Sequence, residues 1–261
     1  MEKLKELYDI YQKSIGISWK KILKNNGFET KSPYALLKKC GFKAKNNLDC
    51  QRKRELKEDF FEKIDSPEKA YWLGILYSDG NVFQNGNSFR IKLALGEKDK
   101  DQVEKLSILL YGKDRKKVYK RGKTCEKWSD LAELSVNSKK MGEDLISHGC
   151  VPRKSALIRM PKLDECLIRF FILGFFDGDG HVFINKRGNK VCGFTSNKNF
   201  LEDLSSFLEK RLLIASKIRI RKGIYGSINF GSAFALKQLR DYFYLDNESL
   251  FLIRKRNVFF A

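Results

Sequence analysis

Two histidines, His148 and His181, are all that this 261-residue sequence holds. Its six cysteines (Cys40, Cys50, Cys125, Cys150, Cys166, Cys192) never fall into a C-x-x-C pair. Both scarcities argue against a zinc finger and against a histidine-rich metal nuclease. No apolar run approaches the ~20 residues that a membrane-spanning helix needs; the longest lies around Phe170–Phe176. Met1-Glu2-Lys3-Leu4-Lys5 has no apolar signal core. The expectation is a soluble, reduced, intracellular protein without a membrane partner, in a bacterial or phage-infected cytoplasm or in an organelle. Acidic residues are also short: 32 Asp and Glu face 52 Lys and Arg, leaving a formal charge of +20 and a pI near 9.6. Such an excess repels itself in a compact fold and calls for a polyanionic partner. Hydrophobic residues still make up 42% and aromatics 13%, 20 of them Phe. That supply builds a packed core and excludes a wholly disordered tail protein.

The most informative feature is a repeat. Trp72-Leu73-Gly74-Ile75-Leu76-Tyr77-Ser78-Asp79-Gly80 recurs 100 positions later as Ile172-Leu173-Gly174-Phe175-Phe176-Asp177-Gly178-Asp179-Gly180, and Val82-Phe83 recurs as Val182-Phe183. Two copies are too few for a solenoid and indicate a duplicated domain. We divide the chain into a basic helical segment (1–45), a charged, partly helical linker (46–64) and two repeats (65–160 and 161–261).

Each repeat reads as mixed helix and antiparallel sheet, an α+β class. Ser66 can cap a helix whose first turn suits Pro67 and Glu68, with Gly80 placed to end it. Asn85-Gly86 signals a hairpin between Val82-Phe83 and the strand Phe89–Leu95. An amphipathic helix over Lys100–Leu110, a strand over Trp128–Val136 and a helix over Ser138–His148, stopped by Gly149, complete the half. The second half repeats the order: hairpin 181–195, helix 197–213, strands 217–222 and 227–230, helix 232–243.

Gly74 and Gly174 leave gaps in otherwise bulky apolar helices, and such gaps let two helix backbones approach closely. Side by side, those helices would bring Asp79 and Asp179 together at their C-terminal ends, where the macrodipole is already negative. Two carboxylates there repel each other; one must take a proton or a hard divalent cation must sit between them.

The two segments resemble the paired motifs of the LAGLIDADG homing endonucleases, in the monomeric two-repeat form, from about Ser66 to Phe260. The eighth motif position matches Asp79 and Asp179; the sixth is Asp177 in the second copy but Tyr77 in the first. The resemblance implies two αββαββα modules forming a DNA-binding saddle, with Asp79 and Asp179 as metal-binding catalytic acids. The backbones of Gly80 and Gly180 would be further cation ligands. Mg²⁺ is the implied cofactor, with Mn²⁺ able to substitute. Val151-Pro152-Arg153-Lys154-Ser155 and Phe251-Leu252-Ile253-Arg254-Lys255-Arg256 resemble the family's basic stretches, which implies Lys154 and Lys255 as active-site lysines. The implied activity is intron homing: a site-specific double-strand break in a long double-stranded DNA target, leaving 3′ overhangs.

A saddle in the major groove reads base edges through sheet side chains. Arg90 and Lys92 alternate with apolar residues on one strand, Arg219 and Arg221 on another, and Lys186, Arg187 and Lys190 lie on the second hairpin. All are expected DNA contacts. The N-terminal segment shows three short helices, Glu2–Ser14, one from Ser18 to Lys24 and one from Ser32 to Cys40, and resembles a homeodomain-like helix-turn-helix domain. Lys31, Ser32, Ala35 and Lys38 would face DNA there, with Leu36 and Leu37 in its core.

Other motifs fail. Asp177-Gly178-Asp179-Gly180 opens like a calcium loop, but Val182 and Gly188 stand where an EF-hand needs Gly and Glu. Gly122-Lys123-Thr124 ends like a P-loop, but Lys117 replaces its first Gly. His181 beside Asp179 reads as a surface or DNA-contacting residue, since the first copy has Asn81. Two rival expectations use the same basic surfaces: a non-cleaving DNA-binding regulator, and a maturase acting on intron RNA.

Overall fold

Leu4, Leu7 and Tyr11 recur at helical spacing, so the first helix presents one apolar edge. The computed structural model describes residues 2–14, 17–45, 56–119, 130–246 and 250–261. They separate into two compact units, Met1–Lys57 and Glu58–Ala261. The first contains α1 (Glu2–Lys13), α2 (Trp19–Asn25) and α3 (Pro33–Lys39). Its core gathers Leu7, Tyr11, Trp19, Ile22, Leu23 and Leu37, with Leu36 packed at the margin. Ser18 caps α2 by accepting the Lys21 amide, and the Trp19 indole donates to the Pro33 carbonyl at 2.9 Å, tying α2 to the start of α3. Gly27 and Gly41, at φ of 76° and 73°, follow the last turns of α2 and α3.

The second unit holds the repeat. Its first half runs α4 (Pro67–Ser78), β1 (Gly80–Asn85), β2 (Ser88–Gly96), α5 (Lys100–Tyr111), β3 (Lys117–Tyr119), β4 (Leu131–Asn137) and α6 (Lys139–Ser147). Its second half runs α7 (Glu165–Asp179), β5 (Gly180–Ile184), β6 (Lys190–Asn197), α8 (Lys198–Leu212), β7 (Arg219–Lys222), β8 (Tyr225–Phe230) and α9 (Ala233–Tyr244), and α10 (Ile253–Phe260) closes it. The sheets, ordered β1-β2-β4-β3 and β5-β6-β8-β7, are antiparallel throughout. The α+β, two-module expectation is met.

Alternation makes each sheet two-faced. Val82, Ile91, Leu93, Leu134 and Val136 are buried on one face of the first sheet, as are Val103, Leu106 and Leu110 of α5 and Met141 and Leu145 of α6. In the second half the buried set is Cys192, Phe194, Ile228 and Phe230, with Phe200, Leu201 and Leu204 of α8. Each fully buried side chain of this size stabilises by about 1.5–3 kcal/mol. Ser66, Ser138, Asn197 and Ser232 accept the third amide of α4, α6, α8 and α9 respectively. Among the described residues no helix is long and apolar enough to cross a membrane.

Three local expectations need correction. Residues 58–64 do not behave as linker: Phe60 and Phe61 are buried, and the Phe61 carbonyl is hydrogen-bonded to His148 Nε2 at 2.9 Å, so this stretch belongs to the second unit. The charged run 46–55, Trp128 and the Gly122-Lys123-Thr124 run lie outside the described residues. The first hairpin turns at Gly86-Asn87, because Asn85 still pairs with Ser88. Gly80 and Gly180 do not end their helices in the left-handed conformation; they open β1 and β5, and a Cβ on either would press on the carbonyl oxygen four residues earlier, at 2.5 Å from Leu76 O in the case of Gly80.

Candidate active site

Ala70 to Tyr77 in α4 and Ile172 to Asp177 in α7 are buried without a break. A helix apolar on every side must be enclosed, and these two enclose each other. Their seam works because of the glycines. A Cβ on Gly74 would strike Phe171 O and lie 2.7 Å from Phe175 N; one on Gly174 would strike Tyr71 O and lie 3.1 Å from Ile75 N. Backbone therefore meets backbone, reciprocally, halfway along the pair.

That approach sets the far end. Asp79 caps α4 and Asp179 is the last residue of α7. A Cβ on Gly178 would fall 2.8 Å from Asp79 Oδ2, so the Asp79 carboxylate lies against the residue that precedes Asp179. Asp79 and Asp179 both keep an exposed edge, yet desolvation by the packed helix ends, and next the charge of Asp179, push Asp79 up to about 6, although Lys255 and Lys154 pull the other way. Desolvation likewise raises Asp179, against the same two lysines.

Both lysines are at the site. Lys154 Nζ donates to Ser78 O at 2.8 Å. Lys255 Nζ donates to Phe176 O and Gly180 O at 2.6 Å, Asp177 O at 2.7 Å and Gly178 O at 3.3 Å. Each ammonium thus closes the carbonyl end of a motif helix, where a cation is favoured by the dipole. Burial holds Lys154 below the usual lysine range and brings Lys255 down to about 8.

The sixth motif position sits one layer deeper. Asp177 Oδ2 accepts from the Tyr71 hydroxyl at 2.9 Å and from the Leu252 amide at 2.8 Å; Oδ1 is buried with no hydrogen-bond partner among the described residues. Burial raises Asp177 to about 7, opposed chiefly by Lys255. Tyr77 donates to the His148 carbonyl at 2.5 Å.

Two clustered carboxylates, both raised by desolvation and with hard oxygen donors, suit a divalent cation such as Mg²⁺, because a cation would offset the cost of keeping both ionised. Among the described residues no group of three or more His, Cys, Asp or Glu gathers around one point, at this site or elsewhere. The Gly180 carbonyl, expected as a cation ligand, already accepts the Lys255 ammonium, whose charge would repel a second cation. Gly80 heads β1 opposite Leu93.

The expected DNA-contacting residues divide. Arg90 and Lys92 project from the solvent face of the first sheet, where Arg90 lies over the Phe83 ring and bonds Asn137 Oδ1 at 3.2 Å, and Lys92 pairs with Glu133 at 2.5 Å. Lys186 and Arg187 are exposed at the β5–β6 turn. Lys190 is not at that surface: its ammonium donates to the Phe259 and Ala261 carbonyls at 2.9 and 3.1 Å. Arg219 and Arg221 are exposed, but the register jumps between Ile220 and Lys222, so Arg221 is a bulge residue and its strict alternation with Arg219 is lost. Lys31, Ser32, Ala35 and Lys38 are exposed at α3, and Leu37 is buried. A groove of about 590 Å³ opens between β1 and the Val151–Ser155 segment, lined by Asn81, Phe83, Arg153 and Lys154 among others.

Sequence reasoning missed two features. His181 is bonded through Nε2 to Asn229 Oδ1 at 2.7 Å across the intervening strand; Gly193 makes room, since a Cβ there would come 2.7 Å from that nitrogen. Arg254, next to Lys255, grips Asp99 of the first half with two nitrogens at 2.7 and 2.8 Å. Neither pair has a local sequence signal.

The chain shows similarity to known proteins on three fronts. Residues 167–244 match the family model of a LAGLIDADG-like domain. An uncharacterized protein of Methanocaldococcus jannaschii, MJ0314, is 30% identical over 173 residues, which is 63% of this chain and 64% of that protein, so the chain spans just under two thirds of this relative. Among solved structures, the I-SmaMI LAGLIDADG homing endonuclease bound to cleaved DNA is 13% identical and aligns over 75% of this chain and 86% of its own, with a TM-score of 0.49. The LAGLIDADG meganuclease I-AabMI bound to uncleaved DNA is 12% identical over 74% of this chain and 87% of its own, with a TM-score of 0.47. The matched LAGLIDADG-like domain lies in the second half, and the first half repeats the same helix seam and strand order.

Proposed function

We propose that the protein is a site-specific DNA endonuclease that makes a metal-dependent double-strand break within one long target and leaves short 3′ overhangs. The observation that carries this reading is the convergence of Asp79 and Lys154 from one half with Asp179 and Lys255 from the other on the ends of two touching helices. Asp79 and Asp179 would hold the cation. When bound, a divalent ion of this kind supplies a Lewis acid for the scissile phosphate and its leaving oxygen. The two ammonium groups stand at the helix ends where they can stabilise charge building on a phosphate. Lys255, lowered to about 8 by burial, keeps its N–H groups on the helix-end carbonyls and would act on the phosphate through its charge.

The solvent faces of the two sheets, with Arg90, Lys92, Arg219, Arg221, Lys186 and Arg187, would follow the major groove of double-stranded DNA, and the groove beside Arg153 would pass its backbone. A single chain brings both halves and acts as a monomer. The N-terminal helices, read as a helix-turn-helix, would extend the contact through Lys31, Ser32, Ala35 and Lys38. The net charge of +20 supports a polyanionic substrate.

The test is a plasmid-library cleavage screen in Mg²⁺, followed by Asp79→Asn and Asp179→Asn on the selected site. Each variant should lose cleavage by about 10³-fold or more, as expected when a cation ligand goes, while target binding persists. Cutting by either variant at the parent rate would overturn the proposal.

A further inference from the structure

The two copies of the motif differ at one buried position, and the difference has a pattern. Tyr77 and Asp177 occupy the same place on α4 and α7, and both are buried. Each reaches the backbone of the segment that delivers its own half's lysine. In the first half that segment leaves the C-terminal end of α6, where carbonyls lack helical donors. His148 caps that end, and its carbonyl receives the Tyr77 hydroxyl at 2.5 Å. The next residue, Gly149, has a φ of 92°, and a Cβ there would run into the same hydroxyl, so the turn is shaped around it. Lys154 then meets Ser78 O, the neighbour of Tyr77.

In the second half the segment enters the N-terminal end of α10, where amides lack acceptors. Leu252 caps that end, and its amide is received by Asp177 Oδ2 at 2.8 Å. Lys255, three residues on, meets the Phe176, Asp177, Gly178 and Gly180 carbonyls. A helix end that offers a carbonyl is met by a donor; one that offers an amide is met by an acceptor. Tyr77 is therefore not an eroded aspartate. An aspartate there would set a carboxylate against a carbonyl oxygen.

We infer that Tyr77 and Asp177 are paired positioning residues of opposite hydrogen-bond polarity, each latching the segment that places one lysine at the carbonyl end of its motif helix. Neither faces the cation or the phosphate; they act through Lys154 and Lys255. Their consequence for cleavage rests on the nuclease reading proposed above, but the latch itself is a property of the folded chain and is measurable without DNA.

The test uses the full-length protein. Limited acetylation of lysine ε-amines, read by mass spectrometry, reports how tightly each ammonium is held. Tyr77→Phe, which removes only the hydroxyl, should speed acetylation of Lys154 several-fold and leave Lys255 unchanged. Asp177→Leu, which removes the acceptor at similar volume, should do the reverse. Asp177→Asn keeps an acceptor for the Leu252 amide and should restore the parent rate. No change in either variant, or equal loosening of both lysines in each, would overturn the latch. Should Asp177→Leu fail to fold, the Tyr77→Phe arm decides alone. On a plasmid carrying the selected target, Tyr77→Phe should slow cutting of one strand at least tenfold and accumulate nicked circles, with target affinity unchanged. If the parent protein leaves that plasmid intact while the acetylation pattern follows expectation, the nuclease reading fails and the latch stands. Flat acetylation with normal cutting removes the latch alone.

Discussion

In the first half of the second unit Lys154 reaches a single helix-end carbonyl, whereas in the second half Lys255 reaches four. The first sheet's solvent face carries Arg90 and Lys92, the latter paired with Glu133; the second carries His181 bridged to Asn229 over Gly193. Strand order and the glycine seam are nonetheless the same in both. Backbone geometry is shared because the seam demands it: two helices touching backbone to backbone tolerate no side chain at the crossing. The side chains away from the seam are free to differ, since both halves lie on one chain and no symmetry operator ties them together. The molecule thus offers two alike frames with unlike chemistry, as a target without internal symmetry would require.

Several experiments would break or sharpen this comparison. The largest effect on stability is expected at the seam. Gly74→Ala and Gly174→Ala should each destabilise by about 3 kcal/mol or more, the upper range for overpacking, since the new carbon meets backbone and not a flexible tip. Denaturant unfolding checks this, and the two losses should match; unequal losses would end the claim of a reciprocal seam.

Next comes pH. The folded Asp79 titrates at about 6, above its ordinary value, so its contribution stabilises below roughly pH 4 and is lost as pH rises through 6. With chelator present, Asp79→Asn should gain stability over the parent as pH rises from about 4 through 6; because Asp79 is exposed, solvent screening holds that gain to about 1 kcal/mol or less. Melting curves at both ends of the window test the sign, and a gain that shrinks with rising pH would refute it.

The lysines should rank unequally. Lys255→Ala leaves four buried or half-buried carbonyls without their cation and should cost about 1–3 kcal/mol, with Lys154→Ala costing less. An inverted order, read from the same unfolding curves, would mean that the number of carbonyls does not set the strength of the cap. The smallest effects belong to the sheet faces. Arg90→Gln should lower the slope of log affinity against log salt by about 1. Asn229→Ala should leave that slope alone and alter base preference, measured with a randomised target. Similar slopes in the two variants would erase the contrast between the faces.

Much of this was legible before any coordinates. The recurrence of Gly74 and Asp79 as Gly174 and Asp179 marks the duplication, because a glycine inside a bulky apolar helix and an acid at its end are each costly without a structural reason. Caps at Ser66 and Ser138, and the alternation of Arg90, Ile91, Lys92 and Leu93, place helices and sheet faces for the same local reasons. What escaped is long-range. Arg254 and Asp99 are 155 residues apart, and no periodicity announces their pairing. Lys190 fits a basic hairpin by pattern, yet it turns toward the carbonyls of the last helix. A bulge at Arg221 changes facing without changing composition. Tyr77 looks like a motif defect until the carbonyl of His148 is seen beside it.

The final stretch of the chain depends on everything before it. Phe251 offers its carbonyl to Gln102, Leu252 its amide to Asp177, and Arg254 its guanidinium to Asp99, so the stretch is fastened to both halves at once. Its fastenings are complete only where both halves are in place. A chain cut short before Phe251 would carry the paired acids without the ammonium that closes the second helix end.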